Sequence, residues 1–150
     1  MKAVLQRVSK ASVTIEGKQV AEIASGLLIL LGIVADDQDE DIKWLSNKIV
    51  NCRIFPDEQD VMNHSIKQNN GDVIVVSQFT LHANTRKGHR PSYNLAAKPE
   101  VAIPLYEAFV KQLELDMGKV IQTGEFGADM KVSLINDGPV TIIIDTKRRD

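Results

Sequence analysis

The sequence predicts an α/β protein of the α+β kind: one compact domain with a barrel-like β core and two main helices. Three observations predict it. The first third alternates apolar and polar residues with the period of a half-buried strand. A continuous apolar run between glycines then suits a strand buried on both faces. Two later segments place apolar residues three and four apart, the helical spacing.

"KAVLQRVS" and "ASVTIEG" carry the alternation, and "KQVAEIA" follows a break at Gly17. "GLLILLGIV" is the continuous run. Glycines 17, 26 and 32 punctuate these segments, so a meander closing toward a barrel or sandwich is expected. In "DDQDEDIKWLSNKIVNCRIF", Ile42, Leu45, Ile49 and Cys52 form one helical stripe. The acidic cluster from Asp36 to Asp41 precedes it, where the helix dipole favours negative charge. "GDVIVVSQFTLHA" reads as a strong strand after an Asn-Asn-Gly turn, and "NTRKGHRPSYNLAAKP" as a polar loop with four Lys or Arg residues. "IPLYEAFVKQLELDM" predicts a second helix with Leu105, Phe109 and Leu113 on one face and Pro104 in its first turn. A β-rich end and the basic tail "TKRRD" close the chain. With 150 residues and no repeat or linker, residues 1–150 are expected to form a single domain.

With 43% hydrophobic and 25% charged residues, the composition is that of a globular protein. A net charge of −2 provides no bulk attraction for nucleic acid, although a local patch can do so. Cys52 is the only cysteine, which rules out an internal disulfide and a multi-cysteine metal site. The N-terminus lacks a signal-peptide core, and "GLLILLGIVA" is about half a membrane span. A reducing, cytoplasmic setting without a membrane partner is expected.

No phosphate-binding glycine loop, dinucleotide fingerprint or His-Glu-x-x-His helix is present, and His64, His82 and His89 show no metal spacing. The unusual strand is "VIVVSQFTLH", where an apolar run turns polar without a turn signal. Continued regularly, it places Gln78, Thr80 and His82 on one face and Ser77, Phe79 and Leu81 on the other. Either a strand runs out into water, or its end forms a site. Thr80 and Ser77 are possible nucleophiles only with a base in reach. His82 would project parallel to Thr80 at roughly 6–7 Å, too far for direct proton transfer. Arg86, Lys87 and Arg90, beside His89 and Tyr93, follow directly and suit a phosphate backbone with an exposed base.

"NDGPVT" has two readings: a hairpin turn with Pro139 at a strand start, or a cis Gly138–Pro139 bond. A cis bond would hold two carbonyls facing one way, a rigid receptor for an ammonium group.

"SQFTL" at 77–81 and "NDGPVT" at 136–141, with "QRVSKASVTIEG", "RIFPD", "KGHRPSY" and "QTGEFGADMKVSL", resemble the D-aminoacyl-tRNA deacylases nearly end to end. The resemblance implies a homodimer that hydrolyses the ester between a D-amino acid and the tRNA 3′ end, and removes mischarged glycine. It implies no cofactor, no metal and no DNA partner. Ser77, Gln78, Phe79 and Thr80 would line the pocket around the ester and terminal adenosine. Gly138 and Pro139 would enter the partner subunit's pocket, facing the α-amino group and leaving no room for an L side chain. Arg7 would fix that motif, Met130 would form pocket wall, and the tRNA 2′-hydroxyl would assist in place of a protein base. Two features depart from the family pattern: Pro104, which suggests a late start for the second helix, and the "KRRD" tail. The competing readings are a serine or threonine hydrolase with a distant histidine, and a non-catalytic RNA-binding module.

Overall fold

The alternating N-terminal stretch forms β1 (Lys2–Ile15), the strand around which the sheet is organised. In the computed structural model, which describes residues 1–149, β1 is paired along both edges. On one edge it pairs with β3 (Gly26–Gly32) over its first half and β2 (Lys18–Ile23) over its second, both antiparallel. The tight turn between β1 and β2 uses Glu16 and Gly17, both with positive φ. β3 continues the sheet to β6 (Asp72–Ser77) and then β7 (Gln122–Thr123), each pairing parallel.

The path β2-β1-β3-β6-β7 curls until its ends meet, the closure expected, although β1 lies between β2 and β3 and the last two pairings are parallel, unlike a simple meander. The Gln122 side chain of β7 makes the closure. Its Oε1 accepts from the Glu22 N–H of β2 at 2.8 Å, and its Nε2 donates to the Glu22 carbonyl at 2.7 Å. A single amide thus satisfies both backbone groups of an edge residue that would otherwise face water. The expected barrel-like core is present, nearly closed. Two short strands, β4 (Phe55–Pro56) and β5 (Met62–His64), pair separately.

The sheet divides the apolar residues by strand alternation. Leu27 and Ile29 of β3, with Val73 and Val75 of β6, face the helices; Leu28, Ile74 and Val76 face inward with Val8, Val13 and Ile23. Two cores on opposite faces of one sheet explain why "GLLILLG" is apolar at every non-glycine position. Helices α1 (Asp39–Asn51) and α2 (Pro99–Met117) cover the outer core with Leu45, Ile49, Phe109 and Leu113. Truncating Phe109 to Ala would cost about 3–5 kcal/mol by opening that layer. Cys52 lies one residue past α1 and is half-buried; burial pushes its thiol pKa up.

α2 begins at Pro99, not at Pro104. Pro104 sits inside the helix on its exposed side, where a carbonyl left without its N–H partner is open to solvent rather than buried. The late start expected for this helix is therefore corrected. Two contacts tie down the N-terminus. The Met1 ammonium is fully buried, paired with Asp37 and donating to Thr146 Oγ1 at 2.7 Å. Lys147 of the tail lies 3.4 Å from Asp37 and 3.1 Å from Asp41. Hydrogen bonds from Thr146, the Gln38 N–H and Lys147 outweigh the burial that would raise Asp41, and hold its carboxyl at about 2. No helix among the described residues is long and apolar enough to cross a membrane.

Candidate active site

β6 ends at Ser77, and the expected strand through His82 does not form. The Gln78 N–H still bonds to Leu31 of β3 at 2.8 Å, but Phe79–His82 then wind into a 3-10 turn. The turn is closed locally: the Leu81 N–H donates to the Gln78 carbonyl at 3.2 Å, and Gln78 Nε2 donates to Thr80 Oγ1 at 2.6 Å. The turn carries Phe79 outward and His82 inward. His82 is buried, and its Nε2 has no partner among the described residues. Burial foremost pushes its pKa below the ordinary 6.5.

A cavity of about 320 Å³ opens beside the turn, lined by Ser77, Gln78, Phe79, Phe126, Met130 and the start of α2 at Ala102. Four of the residues singled out from sequence, Ser77, Gln78, Phe79 and Met130, therefore share one wall system. Met130 is held against Gly124, where any Cβ would collide with its sulfur. Phe126 was missed in the sequence; its position two residues before "ADM" was the only available signal. Thr80 does not line the cavity, and its hydroxyl oxygen is already an acceptor. Among the described residues neither Ser77 nor Thr80 donates to a base. The N–H groups of Phe79 and Thr80, at the start of the turn, are bonded to no described carbonyl.

Phe79 is 55% exposed and packs edge-on against Tyr93 at 5.0 Å. Arg86, Lys87 and Arg90 are exposed in the loop between these aromatics, whose ends are tied by Asn84 and Ser92.

Gly138 and Pro139 lie elsewhere, outside this cavity, in the 15-residue strand β8 (Lys131–Asp145). β8 pairs antiparallel with β1 on both sides of the Gly-Pro pair, so it is one interrupted strand and the hairpin reading fails. Gln6 faces Thr141 and Val8 faces Asn136, leaving residues 137–140 opposite Arg7 alone. Four residues opposite one force an arch. The Gly138–Pro139 peptide at its crest is cis and solvent-exposed.

The base of the arch is braced from two directions. Arg7 Nε donates to the Asp137 carbonyl at 2.8 Å while its second nitrogen donates to Ile54 O at 2.6 Å. Asn136 accepts from the Val140 N–H at 2.7 Å and donates to Gln6 Oε1 at 3.1 Å and Thr141 Oγ1 at 3.0 Å. Gly138 has φ +146°, and an added Cβ would sit 2.7 Å from Val140 Cγ2. Only glycine fits there. Asn136 and Gln6 were not identified from sequence, because their partners are set by the β1–β8 register.

A family profile described as D-Tyr-tRNA(Tyr) deacylase matches residues 4–145. The chain is 67% identical over all 150 residues to a D-aminoacyl-tRNA deacylase of Flavobacterium psychrophilum, and 61% to one of Bacteroides fragilis, covering 100% of each partner. A solved structure titled c-Myc DNA unwinding element binding protein superposes with TM-score 0.92 at 40% identity, over 97% of this chain and 98% of that one. A probable eukaryotic D-amino acid tRNA deacylase shares the fold at TM-score 0.82 and 16% identity, over 95% and 97%. From the cavity, the arch and these end-to-end matches together, the chain belongs to the D-Tyr-tRNA(Tyr) deacylase family.

Proposed function

We propose that the chain hydrolyses the ester of D-aminoacyl-tRNA, releasing the D-amino acid and tRNA, and also clears glycine mischarged on tRNA. The observation that supports it most is the single cavity uniting Ser77, Gln78, Phe79 and Met130 in a chain of this family. Water adds to the ester carbonyl, the acyl C–O bond breaks, and the proton from water ends on the departing ribose oxygen. The N–H of Phe79, which lines the cavity and is bonded to no described carbonyl, is the donor assigned to the developing oxyanion. Among the described residues no base is hydrogen-bonded to Ser77 or Thr80, which favours proton handling by the tRNA 2′-hydroxyl. The exposed Phe79–Tyr93 pair offers a stacking surface for the terminal base, with Arg86, Lys87 and Arg90 against phosphates. Charged tRNA is a cytoplasmic substrate, and we place the enzyme there.

The arch cannot serve the cavity of its own chain, since it does not line it. A homodimer in which each arch enters the partner's cavity gives it a role: its rigid backbone faces the α-amino group and excludes an L side chain by clash. The outer edge of β8 beside the arch, unpaired among the described residues and with Ile135 exposed, supports such a contact. Glycine has no side chain to exclude.

Deacylation of matched D- and L-tyrosyl-tRNA tests the proposal: rapid D turnover with almost no L turnover is expected, and comparable rates would refute it. Thr80→Ala should keep much of the activity if RNA assists. Complete loss with intact fold and tRNA binding would instead favour a covalent threonine route.

A further inference from the structure

Trp44 of α1 stands between two cations. The Arg149 guanidinium carbon is 4.7 Å, and Lys48 Nζ 5.7 Å, from its ring centroid. The indole forms one wall of a cleft of about 620 Å³, bounded also by Lys2, Arg148 and the last residues of β8. The charged lining is Lys2, Lys48, Arg148 and Arg149 against Asp145 alone, a formal charge of +3 in a chain of net charge −2. Positive charge is therefore gathered here against the overall balance.

Two of the cations are engaged internally, Lys2 with Asp145 at 3.8 Å and Arg149 with Glu40 at 3.1 Å. Lys48 and Arg148 make no ion pair among the described residues. Both are exposed. The cleft also adjoins the candidate active site: Lys2 Nζ donates at 3.4 Å to the carbonyl of Leu81, the residue after Thr80. One lysine side chain thus separates the basic cleft from the turn that shapes the cavity.

We propose that this cleft binds the phosphodiester backbone of the tRNA, holding the body of the substrate while its 3′ end occupies the cavity. The proposal rests on the deacylase reading above. Cations spread along a cleft, rather than converging on one point, match a chain of phosphates better than a single anion. Stacking on Trp44 fixes Arg149 in advance, so less side-chain freedom is lost on binding. The basic tail, which lies beyond the residues matched by the family profile, gains a role here, because Arg148 and Arg149 belong to it.

The test compares wild type with Lys48→Ala/Arg148→Ala on full-length D-tyrosyl-tRNA and on a D-tyrosyl-adenosine fragment, across a salt series. For the tRNA, KM should rise about tenfold with kcat within about twofold, and the salt dependence of log kcat/KM should flatten by about two. The rise should be at least about fivefold smaller for the fragment, which lacks the backbone that the cleft would hold. Equal changes for tRNA and fragment, or none, overturn the proposal while leaving the deacylase reading intact. If wild type turns over neither D substrate, that reading fails and the proposal with it. Thermal melting checks the fold, and Lys48→Gln/Arg148→Gln repeats the comparison should the alanine variant prove unstable.

Discussion

Replacing Arg7 by Met removes the guanidinium while keeping much of the apolar stem. Arg7 is 12% exposed and joins three parts of the chain: its own strand, the Ile54 carbonyl and the Asp137 carbonyl. A hydrogen bond from a charged donor contributes about 1.5–3 kcal/mol. Ile54 is buried, so its carbonyl finds no full replacement, and about 2 kcal/mol is assigned to that bond. Asp137 is exposed, and water recovers much of the second bond, leaving about 1 kcal/mol. The Arg7–Asp137 ion pair, at 3.9 Å with Asp137 58% exposed, adds little. A total of about 3 kcal/mol corresponds to a Tm decrease of about 6–12 °C for a domain of this length. Urea unfolding gives the free energy directly. Deacylation of D- and L-tyrosyl-tRNA, at a temperature where the variant is folded, reads the arch. We expect D turnover to fall at least about tenfold and the D-to-L ratio to shrink, because positioning worth only about 1.4 kcal/mol is already tenfold in rate. A stability loss below about 1 kcal/mol together with an unchanged D-to-L ratio would refute the bracing role.

Three further outcomes are expected. Gly138→Ala should abolish most D-specific turnover yet lower global stability by only about 1–3 kcal/mol, since the strained φ lies in an exposed arch; wild-type kinetics would contradict it. Asp37→Asn leaves the buried Met1 ammonium with Thr146 as its remaining partner and should cost about 3 kcal/mol by urea unfolding, and a neutral result would show that the pair contributes nothing net. His82 is depressed chiefly by burial, so the unfolded chain takes up its proton first as pH falls; stability is full above about 6.5 and declines below it toward the folded value. His82→Leu should flatten that decline in urea midpoints between pH 7 and 5, and an unchanged profile would exclude His82 as its source.

Fold class and both helices were legible because burial imposes periods on a chain: two for β1, continuous for β3, three and four for α1 and α2. Ser77, Gln78 and Thr80 were legible as polar residues at the end of an apolar strand, and "NDGPVT" as a proline where pairing should begin. The chemistry attached to them came from resemblance, since no local spacing supplied a base. Helix α2 was placed late because Pro104 reads as a start, whereas its exposed position lets a helix begun at Pro99 run through it. Sequence alone therefore determined which segments bury which faces, for that depends on neighbours a few residues away. Only the tertiary structure decided what lies across from them. The β1–β8 register set four residues against Arg7 and made "NDGPV" an arch instead of a hairpin. Gln122 closed the sheet onto Glu22, and a 3-10 turn over Phe79–His82 took the place of the strand's continuation. Contacts between residues separated by 100 or more positions, such as Gln122 with Glu22 and Arg7 with Asp137, leave no periodic trace, because either partner alone is an ordinary polar residue.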